Sequence, residues 1–257
     1  MVASPVTDRC FPGQNKFKLG LFSFNTYGGL TNTMAKERWQ ANWPNMRDLA
    51  IMAEESGIEF LLPLAGWMGH NGDAPTDGHF HETMSWAAGL LSATKSIHVF
   101  STIHAPFLNP VFAAKQSVTC DHIGSGRLGL NLVAGYNEKE FDMFGVPYYG
   151  HSERYAYLAD WLSVVRKIWL KEEIFSHQTE FFHFKDVVGF PKPFGNTLPM
   201  VVSAGSSPEG RAFALSKADA LFMVVKSIET LAGDIRPVKF QMGNRPIKIY
   251  CSGHVIC

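Results

Sequence analysis

The chain has 257 residues, enough for one large α/β domain, and 46% of them are hydrophobic, so a sizeable core can be buried. Lysine plus arginine and aspartate plus glutamate number 23 each, which excludes the basic excess of a nucleic-acid-binding protein and the acidic excess of a disordered tail. The sequence contains no run of about 20 apolar residues and therefore predicts no membrane span.

Residues 1–16 are predicted to form a flexible polar arm. They lack the apolar central run that a secretory signal contains. The four cysteines, at positions 10, 120, 251 and 257, form no CxxC pair and show no zinc-ligand spacing. The sequence therefore predicts free thiols in a reducing cytoplasm.

From residue 17 onward, short apolar runs alternate with amphipathic stretches. The apolar runs predict strands at 18–24, 58–64, 97–104, 127–133, 200–203, 220–225 and 247–256. The amphipathic stretches predict helices at 44–56, 83–94, 110–123, 152–170, 208–217 and 227–235. Residues 174–195, which are rich in Phe and Pro, interrupt the alternation and are predicted to form a hairpin insertion.

The alternation of strands and helices indicates parallel βαβ units. Seven predicted strands favour a TIM-like (β/α)8 barrel, with an open doubly wound sheet as the alternative. We therefore predict a single α/β barrel over residues 17–257. The chain ends within the predicted seventh strand, so we expect a barrel that is truncated before its eighth strand.

Residues 124–129 (GSGRLG) match the dinucleotide-binding pattern GxGxxG. That pattern binds a dinucleotide when it follows a strand and opens a helix. Here it follows a predicted helix and precedes a predicted strand. We interpret it as a tight turn.

Four histidines are candidate ligands: His79, His81, His104 and His254. The first two form an HxH pair, and imidazole groups bind zinc or iron in many proteins. The pair lies in a Gly/Asp-rich loop rather than on a strand, so a metal site is the lesser interpretation. The other interpretations are a surface loop residue and a polar group that lines a ligand cleft.

Residues 204–207 (AGSS) follow a predicted strand and lead into Pro208, where a helix is predicted to begin. Backbone N–H groups at a helix N-terminus and two hydroxyls can hold an anion such as phosphate. The alternative is an ordinary serine N-cap followed by proline. Asn131, within a predicted strand, is either a binding residue at the strand end or a buried amide with satisfied hydrogen bonds.

Three blocks of sequence resemble, in order and spacing, the signature of luciferase-like flavin monooxygenases. They are 121–145 (DHIGSGRLGLNLVAGYNEKEFDMFG), 150–155 (GHSERY) and 204–207 (AGSS). The resemblance extends from about residue 16 to the C-terminus. It implies a TIM-like barrel that binds reduced FMN at the carboxyl ends of its strands.

The resemblance also implies a set of FMN-binding residues. By position they are Ala65, Gly66, Asn131, Glu140, Arg154, Tyr155, Ser206 and Ser207. In this interpretation, the backbone of Ala65 and Gly66 lines the isoalloxazine, and Ser206 and Ser207 hold the phosphate.

The alkanesulfonate branch of the family carries a His near the end of its seventh strand, with an Arg two residues earlier. In this sequence His254 matches the His, but Ser252 stands in place of the Arg, and His81 stands where that branch has a Cys. A sulfonate anion would lack its charge-assisted partner. A neutral or weakly polar organosulfur or nitrogen compound is therefore the expected substrate.

The resemblance implies a monooxygenase that uses reduced FMN and O2 to oxygenate a small-molecule substrate through a peroxyflavin. The predicted catalytic residues are His254, as acid/base or peroxide-stabilising group, and His81, which forms the substrate wall with Trp67. A separate NAD(P)H-dependent flavin reductase would supply the reduced FMN, and the family's usual dimers or tetramers imply a homo-oligomer. The alternatives are a deazaflavin-dependent oxidoreductase of the same superfamily, a metal-dependent hydrolase that uses His79, His81 and His104, and a non-catalytic flavin-binding remnant.

Overall fold

The computed structural model describes residues 15–31, 33, 35–68, 79–224, 227–242 and 247–253. Its strands are, in chain order, β1 (Gly20–Phe22), β2 (Phe60–Leu62), β3 (His98–His104), β4 (Leu128–Val133), β5 (Phe175–Gln178), β6 (His183–Val187), β7 (Met200–Ala204), β8 (Ala220–Val224) and β9 (Lys248–Ser252). Its α-helices are α1 (Trp43–Glu55), α2 (Thr83–Ala93), α3 (Pro110–Ile123), α4 (Glu138–Phe144), α5 (His151–Leu170), α6 (Pro208–Lys217) and α7 (Ile228–Met242).

Seven of these strands form one parallel sheet in the order β1-β2-β3-β4-β7-β8-β9. Ring contacts between strands that are not neighbours show that the sheet is rolled up. The ring of Phe22 on β1 lies 5.2 Å from that of Phe222 on β8, and the ring of Phe60 on β2 lies 5.2 Å from that of Tyr250 on β9. The fold is therefore a nearly closed TIM-like α/β barrel with seven described strands, which confirms the predicted fold class.

Side chains that alternate along each strand divide the core into two layers. The inner layer fills the barrel with Phe60, Leu62, Phe100, Met200, Val202, Ala220 and Phe222. The outer layer packs Leu128, Leu130 and Leu132 of β4 against the helices. Gly129, between two of these leucines, faces inward, and a Cβ there would lie 2.3 Å from the Phe100 ring. Asn131 follows on the same inward face, at the carboxyl end of β4.

The predicted bounds of α3 and α6 are confirmed because both helices carry clear start signals. Asn109 caps α3 by accepting a hydrogen bond from the Val111 N–H at 2.9 Å, and proline occupies the first helical position. Helix α4 was not predicted. The last helix was predicted to end at residue 235, whereas α7 continues to Met242 with Pro237 inside it.

Within residues 124–129, the segment 124–127 forms the predicted tight turn between α3 and β4, with Gly126 at a φ of +89°. Within 174–195, β5 and β6 pair as an antiparallel hairpin. His177 of this hairpin holds it against α5: its Nε2 donates to Asp160 Oδ1 at 2.7 Å, and its Nδ1 accepts from Lys167 Nζ at 2.8 Å. This hairpin lies outside the parallel sheet.

Charged side chains tie the loops together at the amino ends of the strands. The Glu54 carboxylate accepts hydrogen bonds from the backbone N–H groups of residues 95–97, at 2.5–2.9 Å for its Oε1. The Arg127 guanidinium donates to the carbonyls of Leu91, Thr94 and Ile97 at 2.7–3.0 Å. In barrels of this type the amino end serves stability and the carboxyl end serves binding. Among the described residues, no helix is long and apolar enough to cross a membrane.

Candidate functional site

Asn131 lies on the inward face of the barrel near the carboxyl end of β4, and only 4% of it is exposed. Its Nδ2 donates to Thr102 Oγ1 at 3.1 Å, and the Thr102 hydroxyl donates to the Pro63 carbonyl at 2.6 Å. Its Oδ1 is buried and has no hydrogen-bond partner among the described residues. Burying a polar atom without a hydrogen-bond partner costs about 1–3 kcal/mol, so this oxygen is suited to accept a hydrogen bond from a bound molecule.

Glu140, in the first turn of α4, fixes the loop that follows β2. Its Oε1 accepts hydrogen bonds from the backbone N–H groups of Trp67 at 2.9 Å and Met68 at 3.2 Å. This carboxylate therefore holds in place the loop that contains Ala65 and Gly66. Glu140 is itself buried, with 5% exposure.

Arg154, in the first turn of α5, is a buried cation. Its Nη1 donates to the Tyr149 carbonyl at 2.7 Å, and its guanidinium carbon lies 4.4 Å from the centre of the Tyr148 ring. Its Nε is buried without a hydrogen-bond partner among the described residues. The side chain thus offers a positive charge and an unused donor.

The start of α6 forms a close backbone turn beside Tyr155. Ser207 Oγ accepts from the Gly210 N–H at 3.0 Å and so caps the helix. A Cβ on Gly205 would lie 2.5 Å from the carbonyl carbon of Gly210, and one on Gly210 would lie 2.6 Å from the Tyr155 hydroxyl oxygen. The glycines therefore bring the turn, the positive end of the helix dipole and a phenol together, a combination suited to an anion.

The carboxylate of Glu209, in the first turn of α6, contacts a histidine of α5. Glu209 Oε2 lies 3.3 Å from His151 Nδ1, and Glu209 Oε1 accepts from Ser152 Oγ at 3.5 Å. This contact links the starts of α5 and α6, which carry Tyr155 and Ser207.

A cavity of about 380 Å³ lies next to the loop that follows β2 and the end of β3. Aromatic side chains make up much of its wall. The Trp67 and Phe144 rings lie 4.8 Å apart, and the Phe107 and Phe144 rings are stacked at 4.5 Å. His81 also lines the cavity, and its Nε2 lies 2.7 Å from the Ala41 carbonyl oxygen.

His104, the last residue of β3, lines the same cavity with 8% exposure. Its ring lies 5.3 Å from the ring of Phe107. Burial lowers the pKa of His104, and the negative charge of Glu140 opposes that shift only in part. The imidazole is therefore neutral near pH 7.

The predicted binding residues fall into two groups. Ala65, Gly66, Asn131 and Glu140 lie around the ends of β2 and β4, whereas Arg154, Tyr155, Ser206 and Ser207 lie where α5 and α6 begin. His254 lies outside the described residues. Within the described ranges, no group of three or more His, Cys, Asp or Glu residues is arranged to hold a metal ion.

Sequence reasoning missed Thr102 and Gly210. The available signal for Thr102 was its position near the end of a predicted strand. Its hydrogen bond to Asn131 could not be predicted, because the two residues are 29 positions apart in the sequence. For Gly210 no signal exists, because its contact with Tyr155 depends on how two helices pack.

Comparisons with known proteins identify the family to which the chain belongs. The sequence model described as luciferase-like monooxygenase matches residues 17–257. The chain is 30% identical over 233 residues to the FMNH2-dependent dimethylsulfone monooxygenase of Pseudomonas putida, covering 90% of this chain and 61% of that protein. It is 30% identical over 215 residues to the pyrimidine monooxygenase RutA of Caulobacter sp. (strain K31), covering 83% of this chain and 60% of the relative.

The chain thus spans about three fifths of the length of these two relatives. Among solved structures, riboflavin lyase (RcaE) superposes with a TM-score of 0.81 at 22% identity, covering 93% of this chain and 62% of that one. This likeness shows the shared fold. The family match over residues 17–257 shows more: the chain belongs to the luciferase-like monooxygenase family.

Proposed function

We propose that this chain binds reduced FMN at the carboxyl ends of its strands and oxygenates a small organosulfur or nitrogen-containing molecule with O2. The observation that carries the proposal is that two of the buried polar atoms without a hydrogen-bond partner among the described residues are Asn131 Oδ1 and Arg154 Nε. Both belong to residues that the family resemblance assigns to the flavin. A buried polar atom without a partner is costly unless a ligand satisfies it.

The residues present fit FMN. The phosphate would be held at the start of α6 by the hydroxyls of Ser206, Ser207 and Tyr155, with Arg154 as the nearby positive charge. Asn131 Oδ1 would accept a hydrogen bond from a ring N–H of the reduced flavin. The loop with Ala65 and Gly66 would line the ring, and Glu140 would keep that loop in position through its bonds to the N–H groups of Trp67 and Met68.

Reduced FMN, when bound, supplies the activation of O2 that oxygenation needs. The protein's own task is to orient the substrate and exclude water. The stacked rings of Phe107 and Phe144, with Trp67 against them, make a water-poor wall. His254 and His81 remain our candidates for proton transfer and for the substrate wall.

The proposal implies a protein partner, a location and an assembly. We expect a separate NAD(P)H-dependent reductase to deliver the reduced flavin. We also expect the protein to be a cytoplasmic homo-oligomer. The name of one relative supports the cofactor, since the Pseudomonas putida protein is an FMNH2-dependent dimethylsulfone monooxygenase.

Replacing Ser207 tests the proposal. We expect Ser207→Ala to weaken the binding of reduced FMN about tenfold, because a hydrogen bond to a charged phosphate contributes about 1.5 kcal/mol. Riboflavin, which has no phosphate, should bind as before. Anaerobic titration of both flavins, followed by absorbance, measures the difference.

Two further variants separate binding from folding. Ser207→Gly removes the hydroxyl but keeps most of the helix-start stability, so it should weaken FMN binding without a large fall in Tm. Ser216→Ala, on the last turn of the same helix, removes a bond to the Ala212 carbonyl (2.7 Å) and should leave both flavins unaffected. Equal weakening of FMN and riboflavin by Ser207→Ala, or a preference for a deazaflavin over FMN, would contradict the proposal.

A further inference from the structure

The cavity of about 380 Å³ beside β3 has a mainly apolar wall without a basic side chain. Its apolar residues include Trp67, Phe80, Met84, Ile103, Phe107 and Phe144. Neither lysine nor arginine occurs among the described residues that line it. A cavity of about 150 Å³ is large enough for benzene, so this one has room for a molecule of one or two rings.

Most polar side chains of the wall are already engaged within the protein. Glu82, the only carboxylate among the described residues of the wall, accepts hydrogen bonds from the N–H groups of Met84 and Ser85 at 2.8 and 2.7 Å. Thr83 Oγ1 donates to the Thr102 carbonyl at 2.6 Å, and the Thr102 hydroxyl is bonded to the Pro63 carbonyl. The hydroxyl hydrogens of Thr83 and Thr102 are therefore used within the protein, and Glu82 repels an anion.

Two polar side chains of the wall, Gln116 and His104, make no hydrogen bond to a described residue, and His104 is the more deeply buried of the two. It is 92% buried, given its 8% exposure, and neither ring nitrogen makes a hydrogen bond to a described residue. Its neighbours on the protein side are the ring of Phe107 at 5.3 Å and Gly135, whose added Cβ would lie 3.9 Å from the imidazole Cδ2. A neutral imidazole has one donor and one acceptor, and no described residue uses either of them.

We propose that the cavity selects an uncharged, largely apolar molecule of one or two rings that carries one hydrogen-bonding group, and that His104 binds that group. The assignment rests on the proposed function in one respect, namely that the occupant is the substrate to be oxygenated. His104 thereby acts as a specificity-determining residue, since a mainly apolar wall with a buried polar contact distinguishes a ligand that carries the matching group from one that lacks it.

Three probes of equal ring size test the selection: 2-naphthol, naphthalene and naphthalene-2-sulfonate. Equilibrium dialysis against the flavin-free protein at neutral pH measures their binding. We expect 2-naphthol to bind about fivefold more tightly than naphthalene, as one net hydrogen bond adds. The sulfonate should show no measurable binding, because it would bring a charge into an apolar wall beside Glu82.

The variant His104→Phe should abolish the preference for 2-naphthol and leave naphthalene binding unchanged. His183→Phe is the matched control, because His183 is exposed on β6, and it should leave all three affinities as they are. Sulfonate binding as tight as naphthol binding, or a naphthol preference that persists in His104→Phe, would overturn the assignment.

A measurement on the unaltered protein covers the case in which His104→Phe does not fold. With ¹⁵N-labelled histidine, the ring nitrogen resonances of His104 should shift on addition of 2-naphthol and move much less with naphthalene. Equal shifts for both probes would refute a hydrogen bond to His104. The same sample is also titrated with FMN. An absence of FMN binding would contradict the proposed function but would not change the conclusion about binding of the probes in the cavity.

Discussion

Two buried asparagines should respond in opposite ways to the same substitution. Asn25 and Asn131 are 0% and 4% exposed. Asn25 has both ends of its amide engaged: Nδ2 donates to the Leu64 carbonyl at 2.7 Å, and Oδ1 accepts from the Leu64 N–H at 2.9 Å. Among the described residues, Asn131 has one hydrogen bond, from Nδ2 to Thr102, and its Oδ1 has no partner.

The magnitudes follow from this difference. Asn25→Leu leaves the backbone N–H and carbonyl of Leu64 buried without hydrogen-bond partners. Each such group costs about 1–3 kcal/mol, so the free energy of unfolding should fall by about 2–6 kcal/mol. Asn131→Leu loses one hydrogen bond of about 1 kcal/mol but removes a buried oxygen that costs about 1–3 kcal/mol. Its free energy of unfolding should therefore stay level or rise by up to about 2 kcal/mol.

Thermal melting with far-ultraviolet circular dichroism measures the effect on stability, and anaerobic titration measures FMN binding. At about 2–4 °C per kcal/mol for a domain of this size, Asn25→Leu should lower Tm by about 4–24 °C, and Asn131→Leu should not lower it. Asn131→Leu should nevertheless weaken the binding of reduced FMN by at least about fivefold. If Asn131→Leu lowers Tm as much as Asn25→Leu does, or binds FMN normally, the unpartnered oxygen does not belong to a flavin site.

Two other predictions concern ionisable groups away from the site. Burial raises the pKa of Glu54, but hydrogen bonds from residues 95–97 outweigh it and leave the pKa below its usual 4.5. Such a carboxylate stabilises the fold at pH values above its unfolded pKa, and this stabilisation is lost as pH falls through its folded pKa. Glu54→Gln should therefore lower Tm at about pH 7 and lower it much less at about pH 3. An equal decrease in Tm at both pH values would contradict this. Burial raises the pKa of Cys120 to about 11, so iodoacetamide should label the exposed Cys251 well before Cys120 in the folded protein, as peptide mass spectrometry would show, and equal labelling rates would refute it.

Local signals explain how much of the fold could be predicted from sequence. The bounds of α3 were predictable because Asn109, Pro110 and Gly124 mark its two ends. The seven-residue α4 was missed because it is too short to show a helical period. The end of α7 was placed too early because proline normally stops a helix. Here the helix continues past Pro237, and Val238 is fully buried beyond it.

The candidate site was predictable in its residue types but not in its contacts. Family resemblance identified Asn131, Glu140 and Arg154 without indicating which of their atoms have partners. The bond from Trp67 to Glu140 joins residues 73 positions apart, and no sequence pattern encodes it. His104 could be recognised as a histidine at a strand end, but its lack of a hydrogen-bond partner is a property of the packed structure alone.

The rings and branched side chains that fill the barrel interior have a consequence for how such a protein can change over evolution. Phe22, Phe60, Phe222 and Tyr250 link the first strands to the last through the interior. Because that space is occupied by side chains, ligands are confined to the rim, where loops such as the one containing Ala65 and Gly66 lie above the packed rings. Substitutions in those loops can alter which molecule is bound without disturbing the contacts that hold the strands together. New substrates can therefore be acquired there at little risk to folding.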